Sequence, residues 1–173
     1  MKNKEEVLLG LNLMCENTLN ETLNIKYVDL GEDFLVATMP VNASVHQPDG
    51  ILNGGATMAL AESVGSAASL MFVNPEKQEV RGIEISANHL KSKREGMVTA
   101  TAKIIHKGAS IHLWEIRIVD EQEKLISSVI NDYSVLITSD KDVNDMFEFE
   151  EDENGTVEFS VEDGLGEVIE WVK

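Results

Sequence analysis

A single acid, Glu62, stands in an otherwise apolar run that starts at Gly54 and continues through Met58, Leu60, Ala61 and Val64 to Met71-Phe72-Val73. An ionised carboxylate in such a run costs several kcal/mol unless it is paired, hydrogen-bonded or neutralised, so its presence points to a use. Ser66 falls one turn further along and Ser63 is adjacent, which places hydroxyls within reach of the acid. Ahead of the run, Pro48, Asp49 and Gly50 break any regular element, and Asn53 is a good N-cap, so the spacing predicts a helix from Gly54. Gly54 and Gly55 leave the first N–H groups of that helix uncovered, at the positive end of its dipole. The stretch therefore offers a carboxylate for nucleophilic or general-base work and a backbone site for an oxyanion. A core helix with one satisfied acid near an interface is the plainer alternative.

The elements that must position these groups follow from periodicity. Val7, Leu8, Leu11 and Met14 recur at helical spacing and predict a short N-terminal helix. Strands are expected at 23–30 and 34–39, then, after the long helix, at 80–90, 97–106, 111–119 and 125–137. The strand from Ile111 alternates, with Trp114, Ile116 and Ile118 on one face and Glu115 and Arg117 on the other; His112 falls toward the core side. Strands joined by short turns are expected to pair antiparallel, and a sheet curled around one apolar helix buries both. The fold class read from the pattern is α+β.

The 173 residues bound one domain, with room for an appendage, and carry a net charge of −17. Residues 140–173 hold 13 acids and two bases, so the division expected is a main domain at 1–139 and an acidic extension at 140–173. A chain this acidic is a poor partner for nucleic acid, whose affinity rests on Lys and Arg. One Cys excludes an internal disulfide, and four scattered His with one Cys make no metal cluster, so no metal is expected. No apolar segment follows the charged opening, and Glu62 in mid-helix would cost a membrane span about 2.5–3.5 kcal/mol. The expectation is a cytoplasmic protein with no membrane partner. In the extension, Phe147 to Phe149 and Val157 to Val161 alternate around Asn154-Gly155, a β-hairpin signal, and Leu165, Val168, Ile169 and Val172 fall at helical spacing. A hairpin followed by a helix is the expectation there; so small a unit would dock on the main domain or on a neighbouring subunit.

Several motifs in order resemble one family. They are Met39-Pro40-Val41; His46-Gln47-Pro48 with Gly50, Leu52 and Gly54-Gly55-Ala56; Leu60-Ala61-Glu62-Ser63 with Gly65-Ser66; Gly82 with Glu84-Ile85 and Ala87-Asn88-His89; Arg94-Glu95-Gly96; His106 with Gly108; and Trp114 with Ile116 and Asp120-Glu121. Together, over residues 7–138, they look like the hotdog-fold acyl-CoA thioesterases, in the branch of 4-hydroxybenzoyl-CoA thioesterase and 1,4-dihydroxy-2-naphthoyl-CoA hydrolase. The resemblance implies a hotdog fold, subunits paired edge to edge into dimers or tetramers, and an acyl-CoA held between subunits. It implies Glu62 as nucleophile or general base, Gln47 from the other subunit orienting the thioester, and the Gly55 N–H receiving the oxyanion. Ser66 would steady Glu62 or the attacking water, and His89 would lie near the acyl pocket or position water.

Two departures bear on chemistry. Members of this branch usually carry His where this chain has Asn53, and a hydrophobic or aromatic residue where it has Asp49. Asn can cap and donate a hydrogen bond but cannot carry a proton, and Asp49 weakens the case for a flat aromatic acyl group. Lys91, Lys93, Arg94 and Lys107 are the bases that could meet the phosphates of coenzyme A, which is part of the substrate rather than a separate cofactor. Two other classes fit the pattern: a hotdog dehydratase, which wants His paired with an acid, and a non-catalytic acyl-CoA binder.

Overall fold

The computed structural model describes residues 3–137, 148–151, 157–162 and 168–171. The chain opens with α1 (Lys4–Leu13), where Asn3 and Glu6 form a reciprocal capping box, and a single turn, α2 (Leu19–Thr22), capped by Thr18. Strands β1 (Lys26–Leu30) and β2 (Phe34–Val41) follow, then the central helix α3 (Gly54–Leu70). Next come β3 (Gln78–His89), β4 (Gly96–Lys107), β5 (Ile111–Val119) and β6 (Leu125–Ile137). The helix starts where the Asn53 cap places it and stops at Leu70, short of the expected Val73.

The six strands form one antiparallel sheet in the order β1-β2-β4-β5-β6-β3. Its inner face is lined by Leu35, Ala37 and Met39, by Val98, Ala100 and Ala102, and by Trp114, Ile116 and Ile118, all essentially buried. These pack with Leu60, Ala61, Val64 and Ala68 of α3 in one core, so the sheet wraps the helix in the hotdog manner. Burying each large side chain of this kind contributes about 1.5–3 kcal/mol, which is why Ala and Gly on α3 matter: they let the sheet close on the helix. Trp114 Nε1 donates to Ser69 Oγ at 2.7 Å and accounts for that buried hydroxyl. Gly55 is exposed, and Met58, Ala59, Glu62, Ser63 and Ser66 are half-buried, so α3 is covered on most of its surface but not evenly.

Pairing by sequence neighbours holds for β1 with β2 and through β4, β5 and β6, but not for β3 and β4. β2 takes β4 as its neighbour, and β3 crosses to the far edge to pair with β6 from Gln78 opposite Ile137 to His89 opposite Ser127. The hydrophobic pattern of β3 is satisfied at either place; the long α3 carries the chain over the sheet and decides which. The turn 93–96 then returns to the middle of the sheet, with Gly96 at φ +94, a conformation that favours glycine.

Beyond the sheet, β7 (Glu148–Glu151), β8 (Val157–Glu162) and β9 (Val168–Trp171) form a second, three-stranded antiparallel sheet. The expected hairpin is β7 with β8; its Asn154-Gly155 turn lies outside the described residues. The expected helix is corrected: Val168 to Trp171 is a strand, with Ile169 opposite Val161. Four residues rich in β-branched and aromatic side chains are too few for a stable helix, and pairing satisfies the open edge of β8.

Candidate active site

The loop before α3 is held by backbone hydrogen bonds and by the side chains of His46 and Arg94. Gln47 N–H donates to the carbonyl of Ile51, and Gly50 N–H to that of Gln47, both at 2.9 Å; Gly50, at φ +75, makes the turn. The neighbouring 93–94 turn clamps this loop. Leu52 N–H donates to the Lys93 carbonyl at 2.7 Å, the His46 ring bonds the Arg94 carbonyl at 2.7 Å, and Arg94 Nη1 donates to the carbonyls of Asp49 and Gly50. Gln47 is thereby fixed at the mouth of the helix, half-buried.

At the helix start the Asn53 side chain accepts the Gly55 N–H at 2.7 Å, so the expected oxyanion donor is occupied by the cap. His89, on β3, reaches the same place: a β-carbon on Gly54 would stand 2.8 Å from His89 Nε2, while His89 Nδ1 bonds Ser127 Oγ at 2.7 Å. Glycine at 54 is therefore what admits the imidazole to the end of the helix.

Glu62 lies two turns along. Its carboxylate Oε2 accepts from Asn131 Nδ2 at 2.7 Å, and a β-carbon on Gly82 would stand 2.5 Å from its Oε1. Its own backbone carbonyl accepts from the Tyr133 hydroxyl at 2.7 Å. The hydrogen bond on the carboxylate thus comes from β6 rather than from the neighbouring serines. Ser63 Oγ instead donates to Asn20 Oδ1 and the Ala59 carbonyl, and Tyr27 donates to the Ser63 carbonyl. Ser66 and Glu62 border one cavity of about 270 Å³, closed on the other side by Leu11, Met14, Cys15 and Asn20 of the N-terminal segment. Burial pushes the Cys15 thiol and the Tyr27 and Tyr133 hydroxyls up, so all three stay protonated at neutral pH.

The four bases do not gather. Lys93 pairs with Glu121, whose carboxyl that ammonium holds down at about 2, and Arg94 is committed to the loop carbonyls. Lys91 Nζ lies 4.0 Å from Asp120. Lys107 sits over the Phe72 ring at the opposite end of β4, roughly 35 Å along the strand, and cannot share a phosphate with the other three within one protomer. Among the described residues no three His, Cys, Asp or Glu side chains come together to hold a metal, and no helix is long and apolar enough to cross a membrane.

Asn131, Tyr133 and Gly82 are site residues that motif spacing alone did not assign. A signal existed: counting by twos from Val129 places an amide on the inner face of β6, and such a group needs a partner. Gly82, inside a strand, marks a close approach.

Residues 49–127 match the family model of the thioesterase superfamily. The chain is 44% identical over 121 residues to the 1,4-dihydroxy-2-naphthoyl-CoA hydrolase of Escherichia coli K12, covering 70% of this chain and 88% of that one. It is 45% identical over 115 residues to the proofreading thioesterase EntH of Cronobacter turicensis, covering 66% and 83%. A solved thioesterase from Pseudomonas aeruginosa superposes with a TM-score of 0.75 at 37% identity, over 76% of this chain and 94% of that one. With its sheet-wrapped helix and these likenesses over most of each relative's length, the chain belongs to the thioesterase superfamily.

Proposed function

We propose that the protein hydrolyses an acyl-CoA thioester to the free acid and coenzyme A at a site completed by a second copy of the chain. One observation carries this reading: Glu62 is held with one carboxylate oxygen bonded to Asn131 and borders a cavity beside α3. The carboxylate either attacks the thioester carbonyl or takes a proton from water, and the acyl group enters the cavity past Leu11 and Met14.

The oxyanion donor cannot come from the same helix. Gly55 precedes Glu62 by seven residues, about 10 Å along the axis at 1.5 Å per residue, whereas one carbonyl must lie about 3 Å from both groups. The Gly55 N–H, and Gln47 beside it, therefore serve the carboxylate of the partner subunit. Among the described residues no strand pairs with the outer edge of β3, which can extend the sheet into that partner. On binding, the thioester oxygen takes the place of the Asn53 side chain at the Gly55 N–H, with His89 beside it. Arg94, which borders the Gln47 loop, and its neighbours Lys91 and Lys93 are the bases offered to the nucleotide phosphates; Lys107, at the far end of β4, is not. Within one protomer Glu62 is bonded to an amide and not to an imidazole. The extension from 140 is read as a separate unit for docking or oligomer control, on the strength of its charge and its own three-stranded sheet.

The test is release of free thiol from a panel of aromatic and aliphatic acyl-CoAs by the wild type and by Glu62→Gln. Turnover that falls at least about a hundredfold in the variant supports the carboxylate mechanism. Folded wild-type protein that cleaves no thioester would mean a binding protein instead.

A further inference from the structure

One buried polar cluster lies outside the groups that would touch a thioester. Asn131 and Tyr133 project from β6 into the core, and both are fully buried. Asn131 Nδ2 donates to Glu62 Oε2 at 2.7 Å and to the Tyr133 hydroxyl at 2.6 Å; that hydroxyl in turn donates to the Glu62 carbonyl at 2.7 Å. The bonds close a ring that grips both the side chain and the main chain of one residue. Asn131 Oδ1 has no partner, so the amide acts here only as a donor. A carboxylate only accepts, which fixes that orientation of the amide. Two glycines make room for the ring. A β-carbon on Gly65 would stand 2.7 Å from the Tyr133 oxygen, and one on Gly82 would meet Glu62 Oε1.

We propose that Asn131 and Tyr133 are positioning residues that hold Glu62 Oε2, so that Oε1 alone is presented to the substrate. This rests on Glu62 being the reacting carboxylate.

The ionisable groups facing Glu62 are few. Tyr133 comes from β6, and Cys15 and Tyr27 line the same cavity. On β3, Arg81 is paired with Glu79, and Glu84 lies opposite Asp132 on the outer face of the sheet. Burial pushes Cys15, Tyr27 and Tyr133 all up, so these three keep their protons at neutral pH.

The test compares the wild type with Tyr133→Phe and Asn131→Asp, each nearly isosteric, by melting temperature and by pH profiles of kcat and kcat/KM with the best acyl-CoA. The clamp predicts kcat lower by roughly 10–100-fold with KM within about threefold in Tyr133→Phe. Asn131→Asp has a sharper signature. With one proton shared, the new carboxyl still donates to Glu62; once that proton leaves, two carboxylates face each other, so activity peaks at acid pH and collapses toward neutral. Should Tyr133→Phe fail to fold, Asn131→Asp carries the test alone. Folded variants with wild-type kcat and pH profile overturn the proposal, as does a loss of activity that follows only a loss of stability. If the wild type cleaves no thioester, the functional reading fails by itself. Carbon-13 NMR of the Glu62 carboxyl then decides the clamp: displaced titration in Asn131→Asp supports it, and an unchanged curve overturns it.

Discussion

In the mechanism proposed above, the middle and the start of α3 carry the two halves of the chemistry, and they are built in opposite ways. At Glu62 the carboxylate is held by Asn131 and the main-chain carbonyl by Tyr133, both from β6, while Gly82 of β3 leaves room for Oε1, all distant in sequence. At Gly55 the donor is a backbone N–H, and its surroundings are a local cap and a turn a few residues long. A charge in the core needs a tertiary scaffold because it must be desolvated and still satisfied. A backbone donor at a helix end needs only the helix to start in the right place.

The comparison can be broken first at the start of the helix. Gly55→Pro removes the N–H while keeping a first-turn conformation that proline accepts, and Gly54, lacking a β-carbon, tolerates a following proline. Loss of one oxyanion donor is expected to lower kcat by about 10²–10³-fold with the fold intact by circular dichroism. Gly82→Ala attacks the other half: its methyl group would meet Glu62 Oε1, and a displaced carboxylate is expected to cost kcat of the order of tenfold to a hundredfold in thiol-release assays. If Gly82→Ala left kcat untouched, Glu62 would not need the scaffold drawn above. Asn53→Ala should act mainly on stability, removing a cap worth about 1 kcal/mol and lowering the melting temperature by roughly 2–4 °C. Its kcat should not fall, since the Gly55 donor is released.

The smallest effect lies away from both halves. His112 is buried edge-on to Phe72, with no partner on Nδ1, and burial, reinforced by Lys107 and His106, pushes its pKa below 6.5. The unfolded chain therefore binds the proton more readily than the folded one. Stability from this group is complete above about pH 6.5 and falls as the pH drops below it. His112→Phe should flatten the dependence of melting temperature on pH between about 7 and 5, without changing kcat.

Much of the fold was legible. The Asn53 cap, the strand limits of β5 and β6, and the inward set Trp114, Ile116 and Ile118 follow from local chemistry and period-two alternation. The place of β3 was not, because either edge satisfies its pattern and pairing with β6 joins residues 38 to 59 positions apart. Val168 to Trp171 fits a helical spacing and a strand equally well, and the open edge of β8 selects the strand. Ser66 is one turn from Glu62 on paper, yet the bond goes to Asn131, which only the curl of the sheet brings near.

By itself the sequence determined where α3 begins, that its one acid needs a purpose, and that a backbone donor opens the helix, because caps, turns and burial costs act over a few residues. The tertiary structure alone decided what holds the acid: Asn131 and Tyr133 reach Glu62 from a strand 69 and 71 positions further along the chain. Distances between elements depend on how the sheet closes, and no local pattern carries them.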